Sequence, residues 1–197
     1  MTDIIERLFG NAVKPKLIRT FISNPLSVLD SDTLTKKIRS RSPLVKKEIT
    51  SLLRIGFLKK KIIKNASHRK VNGFCLNQNF VFLSPLRDFM MRMTPFTDAV
   101  IAKKISSIGR VRLVVLSGMF MNNSESRLDL LVVADHPNEK KLKKVLEDME
   151  GEFGKEISFA LFSTEDFHYR KQMGDKLIRD VFDFGHIIIV DRMNIKD

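Results

Sequence analysis

Tryptophan is missing from this chain, and tyrosine and cysteine occur once each. With Cys75 alone, no disulfide can close within the chain, which fits a reducing cytoplasm. The 15 phenylalanines carry nearly all the aromatic content and read as core filler. Long apolar runs are also missing: none approaches the roughly 20 residues a membrane span needs. The opening MTDIIERLFG carries acids early and has no apolar run of signal length. These absences point to a cytoplasmic protein with no membrane partner. No stretch has the composition of a long flexible linker.

Acidic residues are scarce in one part of the chain only. Residues 1–80 hold 17 Lys and Arg against five Asp and Glu, an excess of twelve, whereas residues 81–197 hold 18 of each. The whole net charge of +12 therefore sits in the first two-fifths. Charge confined in this way suggests a polyanion as partner for one part of the molecule. At 197 residues and 43% hydrophobic content, the chain can bury one large core or two small ones and is too apolar to stay unfolded.

The stretch SPLVKKEITSLLRIGF, residues 42–57, organises that basic part. Ser42 can cap a helix and Pro43 suits its first position. Val45, Ile49 and Leu52 recur at helical spacing, with Leu53 widening the stripe. Lys46, Lys47, Thr50 and Arg54 fall on the other side, and Gly56 ends the helix. Taken alone this is an ordinary surface helix; its neighbours give it a function. Before it come a helical lead-in at Ile4–Phe9, a helix at Val13–Ser23, an extended connector at Leu26–Asp30, and a helix at Thr33–Arg39 capped by Ser31 or Asp32. After it, Phe57–Ile63 and Val71–Leu76 read as two strands around a basic hairpin tip, residues 64–70.

Helix, helix, short turn, helix and basic hairpin, carried by SPLVKKEITSLLRIGFLKK, resemble the winged helix-turn-helix domains of prokaryotic transcriptional regulators. The resemblance covers about residues 4–80 and implies double-stranded DNA as partner. A helix fits the major groove, so Arg41, Ser42, Lys46, Lys47, Thr50 and Arg54 are the candidates to meet it. The hairpin cations Lys59, Lys60, Lys61, Lys64, Arg69 and Lys70 suit phosphates; His68 at the tip is within reach of a phosphate or the minor groove but reads more simply as a solvated loop residue. Alternation along a strand prevents Lys59–Lys61 from all facing one way. Many helix-turn-helix proteins read two half-sites, so a homodimer is expected.

Leu83–Met93, with Leu86, Phe89, Met90 and Met93 inward, and Thr97–Ser107, with Val100, Ile101 and Ile105 inward, read as helices. Residues 81–96 connect a DNA-binding domain, 1–80, to a second domain, 97–197. From Arg110 strands and helices alternate: strands at Arg112–Leu116, Leu128–Val133, Glu156–Phe162 and His186–Val190; helices at Glu139–Glu150, Thr164–Tyr169 and Gly174–Phe184; and a polar loop at Ser117–Arg127. The segments LVVLSGMF, SRLDLLVVAD, GKEISFALFSTEDF and KLIRDVFDFGHIIIVD resemble, in order, the minimal nucleotidyltransferase domain of polymerase-beta type. A winged helix joined to such a domain also looks like a known family of prokaryotic regulator-like proteins. The expected fold is therefore α+β, a winged helix-turn-helix followed by an α/β domain with a mixed sheet.

That family carries a Gly-Ser pair, then Asp-x-Asp on the second strand, then a third acid, and the acids hold Mg²⁺. Here the pair reads Ser117-Gly118, Arg127 stands at the first aspartate, Asp129 remains, and Ser158 stands at the third acid. An Arg beside an Asp on one strand face suggests an ion pair rather than a metal site. Glu125 and Asp135 are nearby acids that read as solvated. His168, Tyr169 and Arg170 read as helix surface, and His136 and His186 lack metal-ligand spacing. The resemblance thus implies a vestigial nucleotide site with no catalytic residue, no metal and no cofactor. The expected function is a DNA-binding regulator whose second domain is inactive and serves dimerisation, sensing or partner contact. The alternatives are an active Mg²⁺-dependent nucleotidyltransferase acting on a protein or RNA, and an adaptor whose basic face meets an acidic protein or RNA.

Overall fold

The computed structural model describes residues 2–64, 68–121, 123 and 126–195. The fold is α+β. It divides into two compact units, one ending at Phe96 and taking in Asp148–Glu156, the other made of Thr97–Glu147 and Ile157–Asp197.

The first unit opens with helix α1 (Thr2–Phe9) and helix α2 (Val13–Ser23). Asn11 caps α2, its side-chain oxygen accepting from Val13 N and Lys14 N at 2.9 Å each. The expected stripe Val13, Leu17, Ile18, Phe21 and Ile22 is buried throughout. A two-residue strand β1 (Leu29–Asp30) leads into helix α3 (Ser31–Lys37). The cap of α3 is Asp30, not Ser31 or Asp32. Asp30 is the extended last residue of β1, so its carboxylate folds back onto Thr33 N at 2.7 Å. Those bonds from Thr33 hold the Asp30 carboxyl below its ordinary range.

Helix α4 runs from Ser42 to Arg54. Ser42 lies inside the helix rather than capping it: Arg41 is the extended residue at the cap position, and no side chain caps this end. Gly56, at φ +78°, ends the helix. Gly56 N donates to Leu53 O and Phe57 N to Leu52 O, both at 3.0 Å, the paired bonds that close a helix on a left-handed glycine. Strands β2 (Leu58–Lys64) and β3 (Lys70–Leu76) form an antiparallel hairpin running from Leu58↔Leu76 to Lys64↔Lys70, and β1 adds to the far side of β3. The expected tip residues Asn65, Ala66 and Ser67 lie outside the described residues. Helix α5 (Leu83–Arg92) follows; Met90 is buried but Phe89, expected inward, is partly exposed. One core joins α2, α3, α4, the hairpin base and α5.

In the second unit, helix α6 (Asp98–Ser106) precedes strand β4 (Arg110–Leu116). Ile101 and Ile105 are buried while Val100, expected beside them, is 40% exposed. A 3₁₀ turn at Gly118–Met121 leads toward strand β5 (Leu130–Asp135). Helix α7 (Glu139–Phe153), strand β6 (Phe159–Phe162), helices α8 (Thr164–Gln172) and α9 (Lys176–Asp183), and strand β7 (Ile187–Asp191) complete the order. The sheet runs β6-β5-β4-β7 and is mixed: β5 and β6 are parallel, the other pairs antiparallel. Leu113, Val115, Leu131 and Val133 pack with Phe167 of α8 and with Ile178 and Val181 of α9. The alternate residues Val114, Leu116, Leu130 and Val132 are buried as well. The central strands are thus covered on both faces, which explains their unbroken apolar runs. Strand β6 starts at Phe159 rather than Glu156, because Ser158 bonds to Asp129 ahead of the ladder. Ser163, not Thr164, caps α8, and Asp175 caps α9.

The last turns of α7 and the residues after it count with the first unit. Lys16 pairs with Glu152 at 2.6 Å, Arg39 with Asp148, and Asn24 donates to Gly154 O at 2.7 Å. Buried Arg19 donates to Met93 O at 2.6 Å, and burial pulls its guanidinium pKa down. Gly154 sits at φ +72°, and any Cβ there would strike the backbone of Thr20.

Candidate functional site

Helix α4 is two-sided. Val45, Ile49 and Leu52 are at most 2% exposed, while Arg41, Lys46, Lys47, Thr50 and Arg54 all face solvent and Ser42 is half-buried. Thr50 turns its hydroxyl back to Lys46 O at 2.9 Å. Sequence reading missed what fixes the helix from below. Glu48 shares the buried stripe, receives Asn11 Nδ2 at 2.9 Å and lies 3.2 Å from Lys14 Nζ. Its spacing from Val45 and Leu52 was the available signal, since a carboxylate on an apolar stripe needs partners. Asn11 thus caps α2 and holds α4 at once.

The hairpin continues this basic surface. Leu58, Phe74 and Leu76 belong to the core, so the even-numbered face turns inward at the hairpin base. Further out the same face carries Lys60, Ile62, Lys64, Lys70 and Asn72, all exposed. Lys59 and Lys61 alternate onto the opposite face, also exposed. Gly73 belongs to that opposite face, where a Cβ would run into Val28 and Ile63. His68, at φ +57°, and Arg69 are exposed beside the tip. Between α4 and the hairpin lies a groove of about 510 Å³, its lining including Lys46, Thr50, Lys60 and Asn72 over Ile49 and Phe74, with Asp30 and Asp32 at its α3 end.

In the second unit, Ser117, Gly118, Asp129 and Ser158 do come together, but as a folding device. Asp129 is 6% exposed. Its Oδ1 accepts from Met119 N at 2.7 Å and its Oδ2 from Ser158 N at 2.9 Å. Its own backbone N donates to Ser158 O at 2.7 Å, and its carbonyl accepts from Ser117 N at 2.9 Å. Ser117, fully buried, donates its hydroxyl to Leu128 O at 2.6 Å. Gly118 at φ +50° leaves no room for a Cβ, which would collide with the Asp129 carboxylate.

Arg127 does not pair with Asp129. Strand β5 begins at Leu130, so residues 127 and 129 precede the alternation that would align them, and Arg127 reaches Asp180 of α9 at 3.2 Å. The residues present do not fit Mg²⁺. A hard cation asks for several oxygen ligands, and here one carboxylate has both oxygens engaged by backbone N–H groups. Among the described residues no three His, Cys, Asp or Glu gather as a metal would require. Asp135 is not merely solvated: Thr164 donates to it through both N (3.2 Å) and Oγ1 (2.7 Å), with Arg112 beside it. Thr164, chiefly through its hydroxyl, holds the Asp135 carboxyl below its ordinary range. Glu125 lies outside the described residues. His168, Tyr169 and Arg170 are exposed on α8, with Arg170 bonded to Asp175 at 3.0 Å. His136 is exposed and His186 lies 3.0 Å from Phe184 O through Nδ1.

No helix among the described residues is long and apolar enough to cross a membrane. Compared with protein-family models, curated proteins and solved structures, the chain matches none.

Proposed function

We propose that the chain is a DNA-binding regulator. Its first unit would act as a winged helix-turn-helix, and its second as a nucleotidyltransferase-like domain without catalysis, used for dimerisation, sensing or partner contact in the cytoplasm. The observation that carries this reading is the outward row of Lys46, Lys47, Thr50 and Arg54 on α4, set beside a hairpin whose cations are all exposed. A helix held rigidly by Glu48 from beneath and cationic above has the form needed to enter a major groove. The clamped Asp129 and the diverted Arg127 support an inactive second unit.

The test is anisotropy of labelled duplex DNA with the full chain. Replacing Lys46, Lys47 and Arg54 together by Ala should remove most binding, with the melting curve unchanged because all three are exposed. Binding that survives this triple change sinks the assignment of α4. Tighter binding to RNA or an acidic protein than to duplex DNA would favour the adaptor reading. Transfer of label from a nucleotide in Mg²⁺ or Mn²⁺ would overturn the claim of inactivity.

A further inference from the structure

The second part of the chain is neutral in sum, yet helix α7 is not neutral along its length. Its first two turns carry Lys140, Lys141, Lys143 and Lys144 against Glu139 alone. Its later turns carry Glu147, Asp148, Glu150 and Glu152 with no cation. That order opposes the helix dipole, which favours acids at the N-terminus and cations at the C-terminus. Lys140 and Lys144 also stand four residues apart on one face, where like charges repel. The acidic half has an account within the fold: Asp148 pairs with Arg39 and Glu152 with Lys16. The basic half lacks one. Lys140, Lys141 and Lys143 are exposed and make no ion pair among the described residues. Leu142, Leu146 and Met149, at most 4% exposed, hold the opposite side of the helix. Asn138 fixes its start, donating from N to Ile108 O at 2.8 Å and accepting from Lys141 N at 2.9 Å. That bond sets the lysines beside the start of β4, where Arg110 is exposed, as is His136 in the turn before α7. The neighbouring acid Asp135 is already engaged by Thr164 and Arg112.

We infer that the first half of α7 is a second phosphate-binding surface, and that it takes the backbone of duplex DNA. The inference rests on the DNA-binding reading above and gives the second unit a share in it. Repulsion kept within the fold, with no internal pair to offset it, is relieved by an anion from outside. Lysines meet phosphates as point charges and need no forked geometry. The rise from Lys140 to Lys144 is about 6 Å, close to two steps along one DNA strand at about 3.4 Å each. Neighbouring phosphates therefore suffice, and no base is read. An acidic protein is the poorer fit: no large apolar side chain of α7 is exposed to anchor one.

The experiment measures affinity of the full chain for labelled duplexes of about 40 base pairs, roughly four helical turns, in two unrelated sequences and across a salt series. Lys140, Lys141 and Lys143 are replaced together by Ala. A control replaces Lys176, Arg179 and Arg192, three exposed cations of the second unit away from α7, also by Ala. The α7 lysines add to the slope contributed by the first unit. The expected result is a slope of log affinity against log salt shallower than wild type by about 2–3 in the α7 variant, equally on both sequences, with the control close to wild type. The melting temperature of the α7 variant should hold or rise, because Ala removes the repulsion and suits a helix. An unchanged slope, a control that loses as much, or a loss confined to one sequence overturns the inference while leaving DNA binding by the first unit intact. A fall in melting temperature also overturns it, since the lysines would then serve the fold. Loss of binding to polyglutamate in the α7 variant, with duplex binding untouched, overturns it in favour of an acidic protein. Failure of the wild type to bind either duplex brings down the DNA-binding reading itself.

Discussion

Replacing Asp129 by Asn separates a folding bracket from a remnant of a metal site. In wild type the carboxylate is buried and each oxygen accepts a backbone N–H, from Met119 at 2.7 Å and Ser158 at 2.9 Å. Asn keeps one acceptor but points its own N–H₂ at the other donor. One charge-assisted bond is lost, and a buried N–H is left facing a donor. Bonds to a charged acceptor contribute about 1.5–3 kcal/mol, and an unsatisfied buried group costs about 1–3 kcal/mol. Allowing for overlap between the two, the Asp129→Asn variant should lose about 2–4 kcal/mol. The assay is guanidinium unfolding followed by the fluorescence of Tyr169, the single tyrosine, which reports on the second unit. A binding site behaves oppositely: an acidic ligand without its cation is a liability, and its removal leaves the empty protein as stable or more so. A ligand at 100 times its dissociation constant would add about 2.7 kcal/mol. An unchanged or raised midpoint in Asp129→Asn, together with a rise in wild type on adding Mg²⁺, would refute the bracket.

Other expectations follow from the same geometry. If Lys46, Lys47, Arg54, Lys60, Lys64 and Lys70 each neutralise a phosphate, log affinity for duplex DNA should fall against log salt with a slope of about −5. The loss between 50 and 200 mM is then about three orders of magnitude, and a slope shallower than about −2 contradicts the proposed surface. Leu52→Ala empties a site that is 1% exposed beneath α4 and should cost about 2–5 kcal/mol in denaturant unfolding, abolishing DNA binding only as the first unit unfolds. The Asp30, Asp135 and Asp175 carboxyls are all held low, chiefly by Thr33 N–H, the Thr164 hydroxyl and Leu177 N–H respectively. Folded values below unfolded ones mean their stabilisation is present above the ordinary carboxylate range, about pH 4, and is lost as pH falls through the folded values. A pH series of thermal melts should therefore be flat from neutrality down to about pH 5 and decline below it; a decline starting nearer neutrality would count against these three groups.

Helical periodicity made α2 and α4 legible, because an amphipathic stripe is a local property: the bounds Val13–Ser23 and the burial of Val45, Ile49 and Leu52 follow from spacing alone. Capping was less legible. Asp30, Ser31 and Asp32 are all competent caps, and what selects Asp30 is that β1 pairs with β3 and holds it extended, a contact from residue 73 that no local window contains. Likewise Arg127 and Asp129 look like strand neighbours until the long-range bonds from Ser158 set where β5 begins. Glu48 shows the converse: its place on the stripe was readable, but Asn11 and Lys14 as its partners depend on how α2 lies against α4. The sequence locates the basic face and singles out Arg127, Asp129 and Ser158; only tertiary bonds say what those residues do.

Gly118 gives the strongest test of whether these residues persist for folding rather than for phosphate binding. Gly118→Ala carries two separable costs. A left-handed conformation at φ +50° costs an L-residue about 1–2 kcal/mol, and the added Cβ must displace the Asp129 carboxylate and the Leu128 carbonyl. The first cost belongs to residue 118 alone, whereas much of the second depends on Asp129 being there. In the Gly118→Ala, Asp129→Ala double variant the carboxylate part of the collision vanishes, and the Met119 N–H that Gly118 positions has already lost its acceptor. The double variant should therefore be more stable than the sum of the singles predicts, with a coupling of about 0.5–3 kcal/mol in unfolding free energy. A glycine kept only to let a phosphate approach would show the conformational cost of its left-handed backbone and no coupling to Asp129, since nothing else in the ligand-free protein would register its loss.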